Sequence, residues 1–236
     1  VIYYPIYNAL ALAVSVVPGA DLGIAIILIT ILVKLILFPI AIKASETTHA
    51  TRTLEPKLKE LREKHKDDKT ELAKATLALY REAGINPFAS ILILIIQIPI
   101  ILGLYWVVYE EGRLAAFDPA LLYSFVPIPD TPSILFLGFF DLAKGSIILS
   151  LIVAVTQFVQ ARLLMPTAPE RTGKDLQDDL AASMHIQMRY VFPIVIAVIA
   201  YVATAAVAVY FITSNIFGIM QEVIARARHK RNYGQQ

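Results

Sequence analysis

Cysteine is absent from all 236 residues, which excludes disulfides and thiolate metal sites. The four histidines, His49, His65, His185 and His229, lie in polar segments, and none has a metal-site spacing such as HExxH. The long apolar runs contain no aspartate or glutamate, which argues against an intramembrane aspartyl protease and a carboxylate proton relay. A GxSxG elbow and a phosphate-binding loop are also missing. Internal repeats of the kind that build secondary transporters are not apparent. These absences predict that the chain is not an enzyme and needs no metal, cofactor or nucleotide.

What is present points to lipid. Hydrophobic residues make up 57%, charged residues 17%, and the mean hydropathy is +0.64. With several long uncharged runs, these values predict an all-α polytopic membrane protein. The net charge of +2 says little, because the charges are segregated along the chain. The sequence starts at Val1, which predicts a processed or trimmed N-terminus.

Residues 1–20, rich in tyrosine and ending at Pro18-Gly19, are short for a span and predict an interfacial helix. A first span is expected over 21–42. Residues 43–87 then carry ten Lys/Arg and eight Asp/Glu. Leu54, Leu58 and Leu61 share one helical face, and Leu72, Ala75 and Leu79 another, so a polar helical hairpin is expected. Asp68 with Glu71 resembles a capping box, and Gly84 before Asn86-Pro87 reads as a helix stop. A second span is expected over 88–109, kinked at Pro99, followed by an acidic loop over 110–144. Its "ILFLGFF" stretch is too short to span. A third span covers 145–165, and a polar loop 166–188.

Between Arg189 and Glu222 lie 32 uncharged residues, long for one crossing and tight for two. The charge bias of the loops decides. The basic 43–87 hairpin belongs in the cytoplasm and the acidic 110–144 loop outside. Two crossings within 189–225, turning near Ala203–Ala206, keep the basic tail 226–236 inside. Five spans follow, with the N-terminus out and the C-terminus in.

Lys34, in "ILVKLILFP", is the one ionisable side chain deep within an expected span. Placing a lysine at a bilayer centre costs about 2.5–3.5 kcal/mol on insertion scales. No carboxylate lies deep within the spans to partner it, so a water-filled cavity is the economical answer. Thr30 shares its helix face at i−4. Other spans offer Gln97, Thr156, Gln157 and Gln160, and Tyr210, Thr213, Ser214 and Asn215. Isolated Gln and Thr residues in membranes are more often interhelical hydrogen-bond partners than working groups. On that ground Asn215 and Gln97 read as structural and Lys34 as functional. The tail residues Arg226, Arg228, Lys230 and Arg231 suit anionic lipid or ribosomal RNA, or simply set topology.

In this order the segments resemble the YidC family of membrane protein insertases, which has mitochondrial and chloroplast relatives. The residues that carry the resemblance are "YYPIYNAL", "IILITILVKLILFPIAIK", the hairpin through "INPFAS", "LIIQIPIILGLYWVV", "VTQFVQARLLMP" and "VYFITSNIFGIMQ". The resemblance implies five spans around a hydrophilic groove open to the cytoplasm and sideways to lipid. It implies a groove charge, usually arginine, at Lys34; substrate-groove positions at Thr30 and Gln160, with an aromatic site at Tyr210 and Phe211; and release of nascent hydrophobic segments into the bilayer. Thr156 and Gln97, polar residues within the spans, complete the candidate substrate groove. Phe211 departs from the family's frequent pair of polar aromatics, and "ATAA" lacks the Pro or Gly usual in the last turn. Expected partners are nascent membrane proteins and membrane lipids, with the ribosome, signal recognition machinery and Sec translocon as further ones; DNA is not expected. The expected location is a bacterial plasma membrane. The rival readings are a pore or small-solute transporter with Lys34 as an anion site, and an assembly chaperone whose hairpin recruits partners.

Overall fold

The computed structural model describes residues 3–65, 68–84, 97–103, 105–107, 117–129, 131–164, 183 and 186–233, and of these the side chains of 46–53, 55, 69 and 228–233 are left aside. The elements are almost all helical. Helix α1 covers Tyr3–Val16 and is followed by a single tight turn, Pro18–Ala20. Gly19 sits in that turn at φ 72°, a conformation that costs a glycine little.

Helix α2, Leu22–Thr53, starts where Asp21 supplies an N-cap. The Asp21 carboxylate accepts the backbone N–H of Gly23 at 2.8 Å and of Ile24 at 3.1 Å. These donors have no carbonyl partner in a first helical turn, so a short acidic side chain is favoured there. The helix does not pause at residue 42, where the first span was expected to end, nor at its internal Pro39. It breaks at Leu54, just before α3, Glu55–Lys64, whose Pro56 lies in the first turn. A missing N–H costs nothing at that position.

Helix α4, Lys69–Glu82, packs against α3. Leu54, Leu58 and Leu61 are half-buried, as are Leu72, Ala75 and Leu79, in keeping with the helical period of the sequence. Asp68 caps α4 by accepting the N–H groups of Thr70 and Glu71, both at 2.9 Å. The return half of a capping box is replaced: the Asp68 N–H donates to the His65 carbonyl at 3.2 Å. Gly84, at φ 66°, ends the segment, and Asn86-Pro87 lie outside the described residues.

The remaining helices are α5, Gln97–Val107; α6, Ile147–Leu164; α7, Phe192–Ala203; and α8, Ala205–Tyr233. One π-helical turn, Gln187–Val191, leads into α7. The 88–96 part of the second expected span and nearly all of the 166–188 loop lie outside the described residues. Among the described residues three stretches are long and apolar enough to cross a membrane: Leu22–Ser45, Ile147–Leu164 and Ala205–Ala227. Gln97–Val107 and Gln187–Ala203 are shorter apolar helices.

The chain divides into two compact units, Val1–Ile36 with Gln97–Met220, and Leu37–Ile96 with Gln221–Gln236. In the first, Tyr7, Leu10 and Val14 of α1, Ala25 and Ile26 of α2, Val153 of α6 and Ala205–Ala208 of α8 are buried together. Small residues at 205, 206 and 208 let backbones approach closely, as helix packing in lipid favours. The outward faces are just as apolar. Ile147, Ile148, Leu151 and Val155 of α6 are exposed, as are Ile194, Val198 and Val202 of α7. Leu28, Leu32, Leu35 and Ile36 of α2 form another exposed stripe. Apolar surface this continuous is solvated by hydrocarbon, not water.

The turn between α7 and α8 falls where the sequence places it, at Thr204. Thr204 is fully extended (φ −168°, ψ 160°), a conformation open to any residue, so neither Pro nor Gly is required. The first N–H groups of α8 are met from outside the helix: Ala205 donates to the Lys144 carbonyl at 2.7 Å and Ala206 to that of Leu142 at 3.2 Å.

Residues 117–129 and 131–146 are folded and not a loose loop. Leu135–Phe136 pairs antiparallel with Phe140–Asp141 in a small hairpin. Farther back, Asn8 of α1 accepts the Tyr123 N–H at 2.6 Å and donates to the Leu121 carbonyl at 3.0 Å. Tyr7 accepts the Asp118 N–H at 2.5 Å. Helix α1, expected to lie on the membrane surface, thus has its Tyr7–Asn8 turn built into this region.

Candidate functional site

Three helices converge on one short polar chain. Lys34 of α2 is half-buried, and its Nζ donates to Oε1 of Gln97 on α5 at 3.5 Å. Gln97 in turn donates through Nε2 to the hydroxyl of Tyr210 on α8. Tyr210 is buried, and Phe211 packs edge-on against it with ring centroids 5.7 Å apart. Among the described residues no carboxylate pairs with Lys34. Its one amide contact sits at the long limit of a hydrogen bond, so the ammonium is only loosely held. Among the described residues, most of the donor capacity of this cation is unspent.

Thr30, one turn before Lys34, is buried, and its hydroxyl donates to its own helix at the Ile26 carbonyl, at 2.6 Å. A hydroxyl committed to the i−4 carbonyl has spent its one proton and keeps only acceptor capacity.

A second polar group lies on another face of α8. Asn215 donates to Thr156 of α6 at 3.1 Å, and Thr156 itself donates to the Ile152 carbonyl at 2.8 Å. Tyr210 and Asn215 are five residues apart, so α8 presents them about 140° from one another. Gln160, a turn beyond Thr156, lies against Gly218 so closely that a side chain at 218 would displace it. The candidate residues therefore fall into two clusters: Lys34, Gln97, Tyr210 and Phe211, and Thr156 with Gln160 and Asn215. Gln97, which reads as structural from sequence, is the link between the charge and the tyrosine.

The tail offers one described basic side chain. Arg226 donates through Nε to Glu222 one turn back, at 2.8 Å. Glu222 is only 2% exposed and also accepts the Ser45 hydroxyl at 2.6 Å. This Ser45–Glu222–Arg226 group is absent from the sequence reading, where Glu222 merely closes an uncharged run. Its i, i+4 spacing to Arg226 is the signal that could have found half of it. The side chains of Arg228, Lys230 and Arg231 lie outside those described.

Buried small polar groups, a cation whose described partner is a neutral amide, and three membrane-length apolar helices define a polytopic membrane protein of helical type. Residues 13–232 match the family model described as 60Kd inner membrane protein. The chain is 30% identical over 231 residues to the membrane protein insertase MisCA of Bacillus subtilis, covering 95% of this chain and 77% of that one. It is 30% identical over 206 residues to the membrane protein insertase YidC of Oceanobacillus iheyensis, covering 86% and 73%. Against the YidC insertase of Clostridium tetani it is 28% identical over 215 residues, covering 91% and 86%. The chain belongs to the 60Kd inner membrane protein family, the family of the YidC insertases.

Proposed function

We propose that the protein is a membrane protein insertase that takes nascent hydrophobic segments into a positively charged groove and releases them sideways into the bilayer. The observation that carries this reading is Lys34, set among apolar helices with a neutral amide as its hydrogen-bond partner. An unpaired ammonium in low dielectric attracts a carboxylate far more strongly than one in water. A substrate's short acidic tail, drawn toward Lys34, crosses less hydrocarbon unaided. Thr30, Gln97, Tyr210 and Phe211 line the path beside the charge, with Thr156 and Gln160 on the α6 side. The apolar segment then partitions into lipid, and its burial there supplies the driving force. No cofactor enters this scheme.

The topology that serves it has five spans: α2, the apolar stretch that includes α5, then α6, α7 and α8. Gln187–Ala203 is about 25 Å long by helical rise, short of a hydrocarbon core of about 30 Å, so it crosses with little tilt or in a thinned bilayer. The α3–α4 hairpin and the basic tail lie in the cytoplasm of a bacterial cell, with the N-terminus outside. There the hairpin receives substrates, with the ribosome, signal recognition machinery and Sec translocon as its partners, and the tail meets anionic lipid or the ribosome. Support comes from the basic residues of 43–87 and from the insertases of bacterial relatives.

The test is insertion of a single-span substrate into liposomes holding the purified protein. Insertion is expected for a substrate with an acidic tail and is expected to fall when the tail's carboxylates are replaced by amides. Ion conductance without insertion would instead make the protein a pore.

A further inference from the structure

The hairpin of 135–141 carries its apolar side chains on the outside. Leu135 is 44% exposed, Leu137 56% and Phe139 67%, whereas Phe136 turns inward against Gly23 of α2. A soluble turn would place polar residues at such a tip.

The tip is also held in a costly shape. Leu137 has φ 54° and Gly138 φ 81°, so a bulky residue occupies the left-handed region. Such a backbone persists only where its surroundings enforce it. Here the enforcing group is Asp21, whose second carboxylate oxygen accepts the Leu137 N–H at 2.9 Å. One carboxylate thus caps the first turn of α2 and fixes the hairpin tip. Leu22 N–H donates to the Ser133 carbonyl at 3.0 Å, and Ser133 N–H to that of Ala20 at 2.8 Å, which tie the hairpin's base to the same point.

These attachments set its depth. Asp21 directly precedes the membrane-length stretch Leu22–Ser45, and Lys144 lies three residues before the membrane-length helix α6. The hairpin therefore sits at the level where two apolar helices leave the hydrocarbon. Ile147 and Ile148, at the start of α6, are exposed as well. Lys144, largely exposed and paired with Asp141 at 2.8 Å, places a cation beside the apolar tip, the arrangement that suits a phosphate-rich headgroup layer.

We infer that the Leu135–Leu137–Phe139 tip is a lipid anchor that inserts into the headgroup and upper acyl region of the bilayer. An apolar surface lying in that layer is buried by about 5–10 Å. The anchor fixes the starting depth of α2 and α6, and it does so independently of what the polar clusters bind.

The absence of cysteine makes the test direct. Phe139→Cys, and Lys57→Cys on exposed α3 as the reference, are labelled with an environment-sensitive fluorophore. The labelled proteins are placed in phosphatidylcholine–phosphatidylglycerol vesicles bearing a nitroxide near the headgroup or at the acyl-chain end. The label at 139 is expected to emit as in an apolar medium and to be quenched roughly twofold more by the shallow nitroxide than by the deep one. The label at 57 should respond to neither. Water-like emission at 139, quenched by aqueous iodide as fully as at 57, would overturn the inference. So would apolar emission without lipid quenching that rises with protein density, because a second copy would then cover the tip. Phe139→Trp in a Trp106→Phe background repeats the measurement with an intrinsic probe, in case the label disturbs the hairpin.

Discussion

The Ser45 hydroxyl of α2 donates to Glu222 of α8 across 2.6 Å, joining two residues 177 positions apart in sequence. Glu222 is buried and takes its second charged hydrogen bond from Arg226 on its own helix. A buried carboxylate is tolerated only with such partners, because an unpaired charge pays its full desolvation cost. The pair's value lies less in net attraction than in what is lost when one member goes.

Removing the partners of Glu222 should therefore cost more than their size suggests. Ser45→Ala is expected to lower stability by about 1.5–3 kcal/mol, the range for hydrogen bonds to charged groups. Arg226→Ala should cost less, because that side chain is 42% exposed and solvent screens it. Thermal unfolding in detergent reads both. A negligible loss for Ser45→Ala would mean that the carboxylate is not buried as described.

Gly145 and Gly218 offer a contrast between rigid and yielding neighbours. A Cβ at 145 meets the backbone carbonyl of Tyr201, whereas one at 218 meets the Gln160 side chain. Backbone cannot step aside without moving the α7–α8 turn. Gly145→Ala is expected to destabilise by about 1–3 kcal/mol, and Gly218→Ala by clearly less. The comparison is again one of unfolding midpoints, and the reverse order would contradict the packing of this turn.

The Asp141–Lys144 pair gives the hairpin a predictable pH response. The hydrogen bond from Lys144 is the main cause holding the Asp141 carboxyl below its ordinary value, and the same bond raises Lys144 above its own. A lowered carboxyl contributes stability above its unfolded value, which is lost as pH falls through the folded one. A raised lysine contributes below its unfolded value and loses its contribution as pH rises through the folded one. Hairpin stability should thus be flat between the ordinary carboxylate and lysine ranges and decline on both sides. Hydrogen exchange at the Leu142 N–H, which donates to the Ile134 carbonyl at 2.9 Å, reports it. Asp141→Asn should abolish the decline on the acid side; an unchanged acid decline would assign it to another group.

Much of the helical layout was legible because local chemistry encodes it. Asp68 before a helical turn, Gly84 after one, and leucines three and four apart each act within a few residues of themselves. The turn at Thr204 was legible by charge arithmetic, though not its geometry, since an extended threonine carries no turn signature. Lys34 stood out because a lone cation in an apolar run is costly wherever it lies. Its partner did not: which polar residue faces it depends on how α2, α5 and α8 are rotated, and no local pattern records rotation. The place of Gln97 between Lys34 and Tyr210 is not legible for that reason, and the Ser45–Glu222 contact is invisible for the same one. The "ILFLGFF" hairpin read only as a failed span. Its strained Leu137 is explained by Asp21, more than a hundred residues earlier.

The central claim is that the Lys34 charge does the work, and liposome insertion of a small single-span substrate with an acidic tail tests it most directly. Wild type is compared with Lys34→Ala and Lys34→Arg at equal protein and lipid. The account predicts that alanine lowers insertion by roughly tenfold, corresponding to about 1.4 kcal/mol of lost carboxylate attraction, while arginine, which keeps the charge, preserves it. Equal insertion by all three proteins would contradict the account.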